Sequence, residues 1–258
     1  MACGEFGPGR LAEPPAIIEA IERALTVGAM LGDGRARSRG PLGGRHVIVT
    51  SGPTYEPIDP VRFLGNRSSG RQGHAIAQAA LSAGARVTLV SGPVSLPDPT
   101  GAAVIHVETA LEMRAAVEAA LPADAFIGAA AVADWRVETV AGSKIKKGEG
   151  GSPALRLVEN PDILAEICNN KASRPAVVIG FAAETEDVVA NASAKLNRKG
   201  CDLIVANSVA EGTSTFGGAT NQVQLIDAKG AESWPSMSKA DVADRIIRRL
   251  VVELAKRQ

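Results

Sequence analysis

The feature that most constrains the fold is an apolar strand, His46-Val47-Ile48-Val49-Thr50, a helix-patterned stretch from about Gly70 to Ala83, and a second apolar strand, Arg86-Val87-Thr88-Leu89-Val90. Two nearly continuous apolar strands joined through a helix lie parallel, with a right-handed crossover and both faces covered. The alternation continues with a helix from Ala110 to Leu121 and an apolar run, Ala125 to Val132, that reads as a central strand ending at a pocket. A helix then follows Asn160-Pro161-Asp162, a strand runs from Ala176 to Gly180, a helix from Asp187 to Arg198 and a strand from Asp202 to Val205. A late strand at Gln222 to Asp227 and an amphipathic helix from Lys239 to Lys256 complete the pattern. The expectation is an α/β, Rossmann-like doubly wound, mostly parallel sheet. Between Asp134 and Asn160, Lys144-Ile145-Lys146-Lys147-Gly148 and the alternating Leu155 and Leu157 predict a β-ribbon insertion, with Lys144 and Lys146 on one face and Lys147 on the other.

Residues 1–44 have a different character. Gly, Pro and Arg flank one short amphipathic helix bearing Ile17, Ile21, Ala24 and Leu25, and a polar, glycine-containing linker follows at 32–40. A complete domain does not fit before that linker, so the folded domain is expected over 45–258. Lys plus Arg total 28 and so do Asp plus Glu, which leaves no long-range positive field for nucleic acid. Aromatic content of 3% argues against a base-stacking surface. No apolar run approaches the ~20 residues of a membrane helix, and no signal-type block opens the chain, so neither a membrane nor export is expected. Cys3, Cys168 and Cys201 form no CxxC pair and no zinc spacing, which fits reduced thiols in a cytoplasmic protein.

The connection from Thr50 to Gly73 carries the strongest functional signal. A βα turn ordinarily takes about 2 to 6 residues, and this one needs some twenty. It leaves the carboxyl end of the first strand, where open α/β sheets bind ligands. Its second half, Asn66-Arg67-Ser68-Ser69-Gly70-Arg71-Gln72-Gly73, places an amide, two hydroxyls and two glycines where a helix begins. Ser68 or Ser69 there is either a plain N-cap or, with Gly70, part of an anion cradle. Gly70 and Gly73 supply only a GxxG ending, which weakens a nicotinamide-dependent reductase reading built on GxGxxG.

Other candidates come from the ends of later strands. Asp134 is either a turn cap or a pocket acid for ribose hydroxyls or a metal. Lys144 and its neighbours are either solvated edge protection or a phosphate lid. Asn160-Pro161-Asp162-Ile163 is a helix-capping sequence, with Pro161 at the first helical position if Asn160 is the cap, or a ligand contact, or both. Phe181 is core or a platform for a flat base. Lys195 and Lys199 share a helical face and either complement the dipole or reach a triphosphate. His46, His74 and His106 suggest no triad and are treated as structural.

Taken together, SGPTYEPIDPVRFLGNRSSGRQG at 51–73, GAAAVADW at 128–135, KIKK at 144–147, ENPDIL at 159–164 and GFAAETE at 180–186 resemble the phosphopantothenoylcysteine synthetase half of the bacterial bifunctional coenzyme A biosynthesis protein. The resemblance covers Arg45 to the C-terminus. Cys3 and residues 7–14 look like the end of the partner decarboxylase domain, in which Cys3 matches the proton donor. The family implies a ligase that joins 4′-phosphopantothenate to L-cysteine with CTP and Mg²⁺ through an acyl-cytidylate, releasing pyrophosphate and then CMP. It also implies a homodimer, with FMN confined to the decarboxylase domain. Its nucleotide contacts carry over to Gly128, Ala129, Ala130, Asp134, Lys144, Asn160, Pro161, Asp162, Ile163, Phe181, Lys195 and Lys199. Asn66 matches the residue that turns over the acyl-cytidylate. Ser68, Ser69 and Gly70 form the expected phosphate loop, and Mg²⁺ is expected on the nucleotide phosphates without direct protein ligands. Trp135 departs from the tyrosine frequent in similar sequences. A non-catalytic nucleotide sensor is the competing reading from a different class.

Overall fold

A computed structural model describes residues 40–146, 154–208 and 220–257. Strand β1 (His46–Ser51) leads into a short hairpin of β2 (Tyr55–Pro57) and β3 (Phe63–Gly65), then helix α1 (Arg71–Ser82), β4 (Arg86–Ser91) and β5 (Ala103–His106). Helix α2 (Ala110–Ala120) precedes β6 (Ala125–Gly128), the ribbon strands β7 (Trp135–Val137) and β8 (Leu157–Glu159), and helix α3 (Ile163–Asn169). The second half contains β9 (Val177–Glu184), α4 (Val188–Lys199), β10 (Leu203–Ser208), β11 (Thr220–Asn221), β12 (Val223–Asp227), β13 (Gly230–Ser233), β14 (Met237–Ser238) and α5 (Lys239–Ala255).

Eight strands form one sheet in the order β13-β12-β10-β9-β6-β1-β4-β5, parallel from β10 to β5 and antiparallel at the β12 and β13 edge. This is the expected doubly wound α/β sheet. Alternating side chains divide the core between two faces. Val47 and Val49 pack with Ile76, Ala77, Ala80 and Leu250 of α1 and α5, while Ile48 meets Met113, Val117, Phe126 and Ile167 on the other side. Alanines on α1 allow α5 to lie close.

Several expectations need correction. The run from Ala125 to Val132 is not one strand, because its pairing with β9 ends at Gly128 opposite Gly180. Beyond it β9 continues with β10, whereas the 129–133 segment follows the end of β1, so the sheet splits there. The ribbon is real, but its paired residues are Trp135–Val137 and Leu157–Glu159. Lys144 and Lys146 lie outside any strand, because Ile145 bonds to the β2–β3 turn and not to a partner strand. Lys147 lies outside the described residues. Asp162, not Asn160, caps α3, its carboxylate accepting from the Ala165 N–H at 3.0 Å. Pro161 therefore precedes the cap. The N-cap of α1 is Gly70 in the left-handed region, with no side-chain cap, while Ser68 Oγ accepts the Gly70 N–H at 3.3 Å.

Two histidines are structural. His46 bridges Pro122 O and Thr88 Oγ1 at 3.0 and 2.9 Å, and His74 Nδ1 lies 2.9 Å from Ser51 Oγ. Since the Ser51 hydroxyl donates to Gly70 O, the arrangement favours a proton on His74 Nδ1. The buried Nε2 has no partner, so a proton there would lack an acceptor. Burial holds both imidazoles below their ordinary value of 6.5. The unfolded chain therefore takes up protons first as pH falls. The stability contributed by the neutral rings is fully present above about pH 6.5 and is lost as the pH falls through the folded-state values. Thermal melts are expected to show a Tm that declines from pH 7 to 5, with a shallower decline in the His46→Gln/His74→Gln double variant. An equal decline in both proteins would refute this role.

Candidate functional site

The end of β1 holds both walls of the crevice that opens where the sheet splits. On one side Ser51 Oγ donates to Gly70 O at 2.9 Å, and the backbone of Gly73 sits so close to Ser51 that a Cβ would fall 2.5 Å from the serine Cβ. Gly70 itself has φ 72°, a conformation costly for residues with a side chain. On the other side the chain after β6 donates in succession to the β1 end. The Ala129 N–H bonds to Thr50 O at 3.2 Å, Ala130 N–H to Thr50 Oγ1 at 3.3 Å, Ala131 N–H to Gly52 O at 2.8 Å and Ala133 N–H to Thr54 Oγ1 at 2.9 Å. Backbone amides that a sheet would otherwise pair are thus satisfied by a loop and two threonines.

Between these walls lies a cavity of about 930 Å³. It is lined by Asn66, Ser68, Ser69, Gly70, Gly128, Ala129, Ala130, Asp134, Asn160, Pro161, Asp162, Ile163, Phe181, Lys195 and Lys199, which brings together nearly every candidate from the sequence. Lys144 is the exception. It is exposed, absent from the lining, and held through Ile145, whose N–H donates to Asp59 Oδ2 at 3.1 Å and whose carbonyl accepts from Arg62 at 2.6 Å. Burial pushes the Asp59 carboxyl up, but donors from Val61, Ile145 and Arg62 outweigh it and bring the group down to about 2, so it is a firm anionic anchor. Cys3 lies outside the described residues.

The lining amides and cations have defined partners. Asn66 Nδ2 donates to Val132 O at 2.9 Å, and Asn160 Nδ2 donates to Ala133 O at 2.8 Å, so both amides brace the same loop. Lys195 Nζ donates to Phe181 O at 2.8 Å, and burial pushes its ammonium below the ordinary lysine value, with Glu184 opposing. Lys199 pairs with Asp162. Two ammonium groups lining one crevice suit a polyanionic ligand. Thr50, Arg71 and Gln72, all within the Thr50–Gly73 connection, also line the cavity, as do Asn207, Asn221 and Lys239, which the sequence did not single out. Asn207, Asn221 and Lys239 reach the cavity only through tertiary placement. Gln72 Nε2 donates to Lys239 O at 3.1 Å and links α1 to the start of α5.

Residues 42–254 match the DNA/pantothenate metabolism flavoprotein C-terminal domain. The chain belongs to that family. It is 45% identical over 237 residues to the coenzyme A biosynthesis bifunctional protein CoaBC of Escherichia coli strain K12, covering 91% of this chain and 55% of that protein. It is 43% identical over 253 residues to the protein of that name from Bacillus subtilis strain 168, covering 97% and 59% respectively. The chain therefore spans little more than half the length of these relatives. A crystal structure of the C-terminal domain of a CoaBC protein superposes with a TM-score of 0.71 at 35% identity, over 84% of this chain and 99% of that one. Among the described residues no helix is long and apolar enough to cross a membrane.

Thr54 provides a direct test of how this family member builds its crevice. Its side chain is fully buried and accepts a buried backbone donor. Thr54→Val keeps the shape but strands the Ala133 N–H, so urea denaturation is expected to show a loss of about 1–3 kcal/mol. A loss below about 0.5 kcal/mol would mean that the bond does not hold the loop.

Proposed function

We propose that this chain is a ligase that joins 4′-phosphopantothenate to L-cysteine in coenzyme A biosynthesis, with CTP as activating co-substrate. The observation that carries the reading is the single cavity into which the Asn66–Gly73 loop, the 128–134 loop and Lys195 and Lys199 converge, in a chain similar to CoaBC over nearly its whole length. The phosphopantothenate carboxylate attacks the α-phosphorus of CTP, and pyrophosphate leaves. The cysteine amine then attacks the acyl carbon and, on losing its proton, gives the amide with departure of CMP.

In this proposal Lys195 and Lys199 hold the nucleotide phosphates as point charges, and the backbone of Gly128 to Ala130 faces the nucleotide. Phe181 and the segment from Asn160 to Ile163 flank the base, Asp134 serves the ribose, and Ser68, Ser69 and Gly70 bind phosphate. Asn66 is assigned to the acyl centre, where its N–H₂ would leave Val132 O to donate to the oxyanion. Lys144 is assigned to the departing pyrophosphate. Because it stands outside the cavity lining, its loop must move inward on the Asp59 tether. Mg²⁺ is assigned to the nucleotide phosphates and not to direct protein ligands. When bound, Mg²⁺ would neutralise charge on those phosphates.

A homodimer is part of the proposal. Val61, Phe63, Trp135, Val140 and Leu157 are exposed apolar residues on the β2–β3 hairpin and the adjoining ribbon, and β2 lies against β7. Such a patch suits an isologous contact, and light scattering is expected to read a dimer. FMN and a proton-donor role for Cys3 are implied by the resemblance for decarboxylase chemistry alone, and neither enters the ligase reaction proposed here.

The test is a nucleotide panel with phosphopantothenate and L-cysteine, read by mass spectrometry. CMP and phosphopantothenoylcysteine are expected with CTP alone, and Asn66→Ala is expected to accumulate the acyl-cytidylate while slowing product about 10²–10³-fold. AMP formation would overturn the CTP assignment. Nucleotide binding without turnover would favour a sensor, and undiminished product from Asn66→Ala would remove Asn66 from the acyl centre.

A further inference from the structure

Cys168 in α3 and Cys201 just before β10 bring their Sγ atoms to 3.4 Å across 33 positions of sequence. Neither lines the cavity, so the chemistry proposed there uses neither. A disulfide needs its sulfurs at about 2.05 Å, which leaves an approach of about 1.4 Å, within reach of small side-chain rotations. Bonds that do not involve sulfur hold the two segments together. Arg174 donates from Nε to Cys168 O at 3.0 Å, and from Nη2 to Gly200 O at 3.2 Å and Asp202 Oδ2 at 3.0 Å. Asp202 accepts in turn from the Val178 N–H at 2.6 Å and from Arg257 at 2.7 Å. The guanidinium thus clamps the carbonyl of Cys168 to the residues on either side of Cys201.

The two thiols are chemically unequal. The hydrogen bond from Cys201 lowers the Cys168 thiol, with burial opposing and Arg174 assisting, and the same hydrogen bond raises Cys201. An activated sulfur beside a protonated one is what a nucleophile and its resolving partner require. Cys168 is 6% exposed and Cys201 is half-buried, so the approach favours a small oxidant over a bulky disulfide.

We propose that Cys168 and Cys201 form a dithiol modification site that a hydroperoxide converts to an intramolecular disulfide. The Cys168 thiol gives up its proton, the thiolate attacks a peroxide oxygen, the O–O bond breaks, and the departing hydroxide takes up that proton, leaving sulfenic acid and one water. Cys201 Sγ attacks the sulfenic sulfur, its proton leaves with the hydroxyl as a second water, and the S–S bond forms. In sum two thiols and one hydrogen peroxide give one disulfide and two waters, the sulfurs losing the two electrons that reduce the peroxide. The position gives the modification its consequence. Cys168 lies in the helix capped by Asp162, and Cys201 follows Lys199 by two residues, so the crosslink joins the two segments whose ion pair forms one cavity wall. The inference stands independently of the ligase reading.

The experiment treats the reduced full chain, bearing Cys3→Ser, with one equivalent of hydrogen peroxide. Non-reducing peptide mapping is expected to find a Cys168–Cys201 peptide, the loss of both free thiols and a mass lower by about 2 Da, all reversed by dithiothreitol. Dimedone is expected to trap sulfenic acid on Cys168 in the additional Cys201→Ser variant. The crosslinked chain is expected to melt at a higher temperature, since a closed loop restricts the unfolded state. Two thiols that still titrate, direct conversion of Cys168 to sulfinic acid, or only intermolecular disulfides would overturn the proposal. A lower Tm on crosslinking would show that the bond does not fit the fold. The mapping on the Cys3→Ser chain keeps both Cys168 and Cys201, so it remains decisive if the Cys201→Ser variant does not fold.

Discussion

The hydrogen bonding at the carboxyl end of β1 is the constraint on which the rest of the structure depends. A parallel sheet must end somewhere, and the amides of the next strand must then find other acceptors or water. Here Thr50, Gly52 and Thr54 supply those acceptors to Ala129, Ala130, Ala131 and Ala133, while Ser51 holds the left-handed turn at Gly70. The same few residues therefore pull the 129–133 segment away from β9 and seat the start of α1 opposite. The crevice is what remains between them.

Charge follows from that geometry. The chain has equal numbers of acidic and basic residues, yet Lys195 and Lys199 face the crevice from one helix. Lys195 is half-buried and braced by the Phe181 carbonyl, which keeps a desolvated ammonium at a fixed place. Lys199 is held by Asp162, so an arriving polyanion competes with a carboxylate for it. Asp59 performs a comparable service in the β2–β3 turn. It ties the segment beside Lys144 to the long connection after β1, so that one loop influences both the serine turn and the outlying lysine.

The doubly wound sheet was legible because β1, β4, β6 and β9 each carry a run of buried apolar residues, as strands covered on both faces must. The hairpin of β2 and β3 was not. Each strand has three residues, and Tyr55-Glu56-Pro57 buries a glutamate, whose carboxylate accepts the Ala110 N–H, and ends on proline. The site was largely legible through strand ends and the serine loop. Lys239, Asn207 and Asn221 were not, because no local pattern marks residues that enter a cavity from distant elements. Lys144 shows the opposite failure. Its sequence neighbourhood suggested a phosphate lid, whereas the structure places it at the surface. The Cys168 and Cys201 contact was equally invisible, since their spacing fits no motif and only the placement of α3 beside the segment between α4 and β10 joins them.

Amide hydrogen exchange of the ligand-free chain, resolved residue by residue by NMR, tests the central claim most directly. If the end of β1 builds the crevice, the N–H groups of Ala131 and Ala133 exchange with protection comparable to that of Val49 within β1. Exchange of those two amides at the rate of an unstructured loop, with Val49 still protected, would contradict the account.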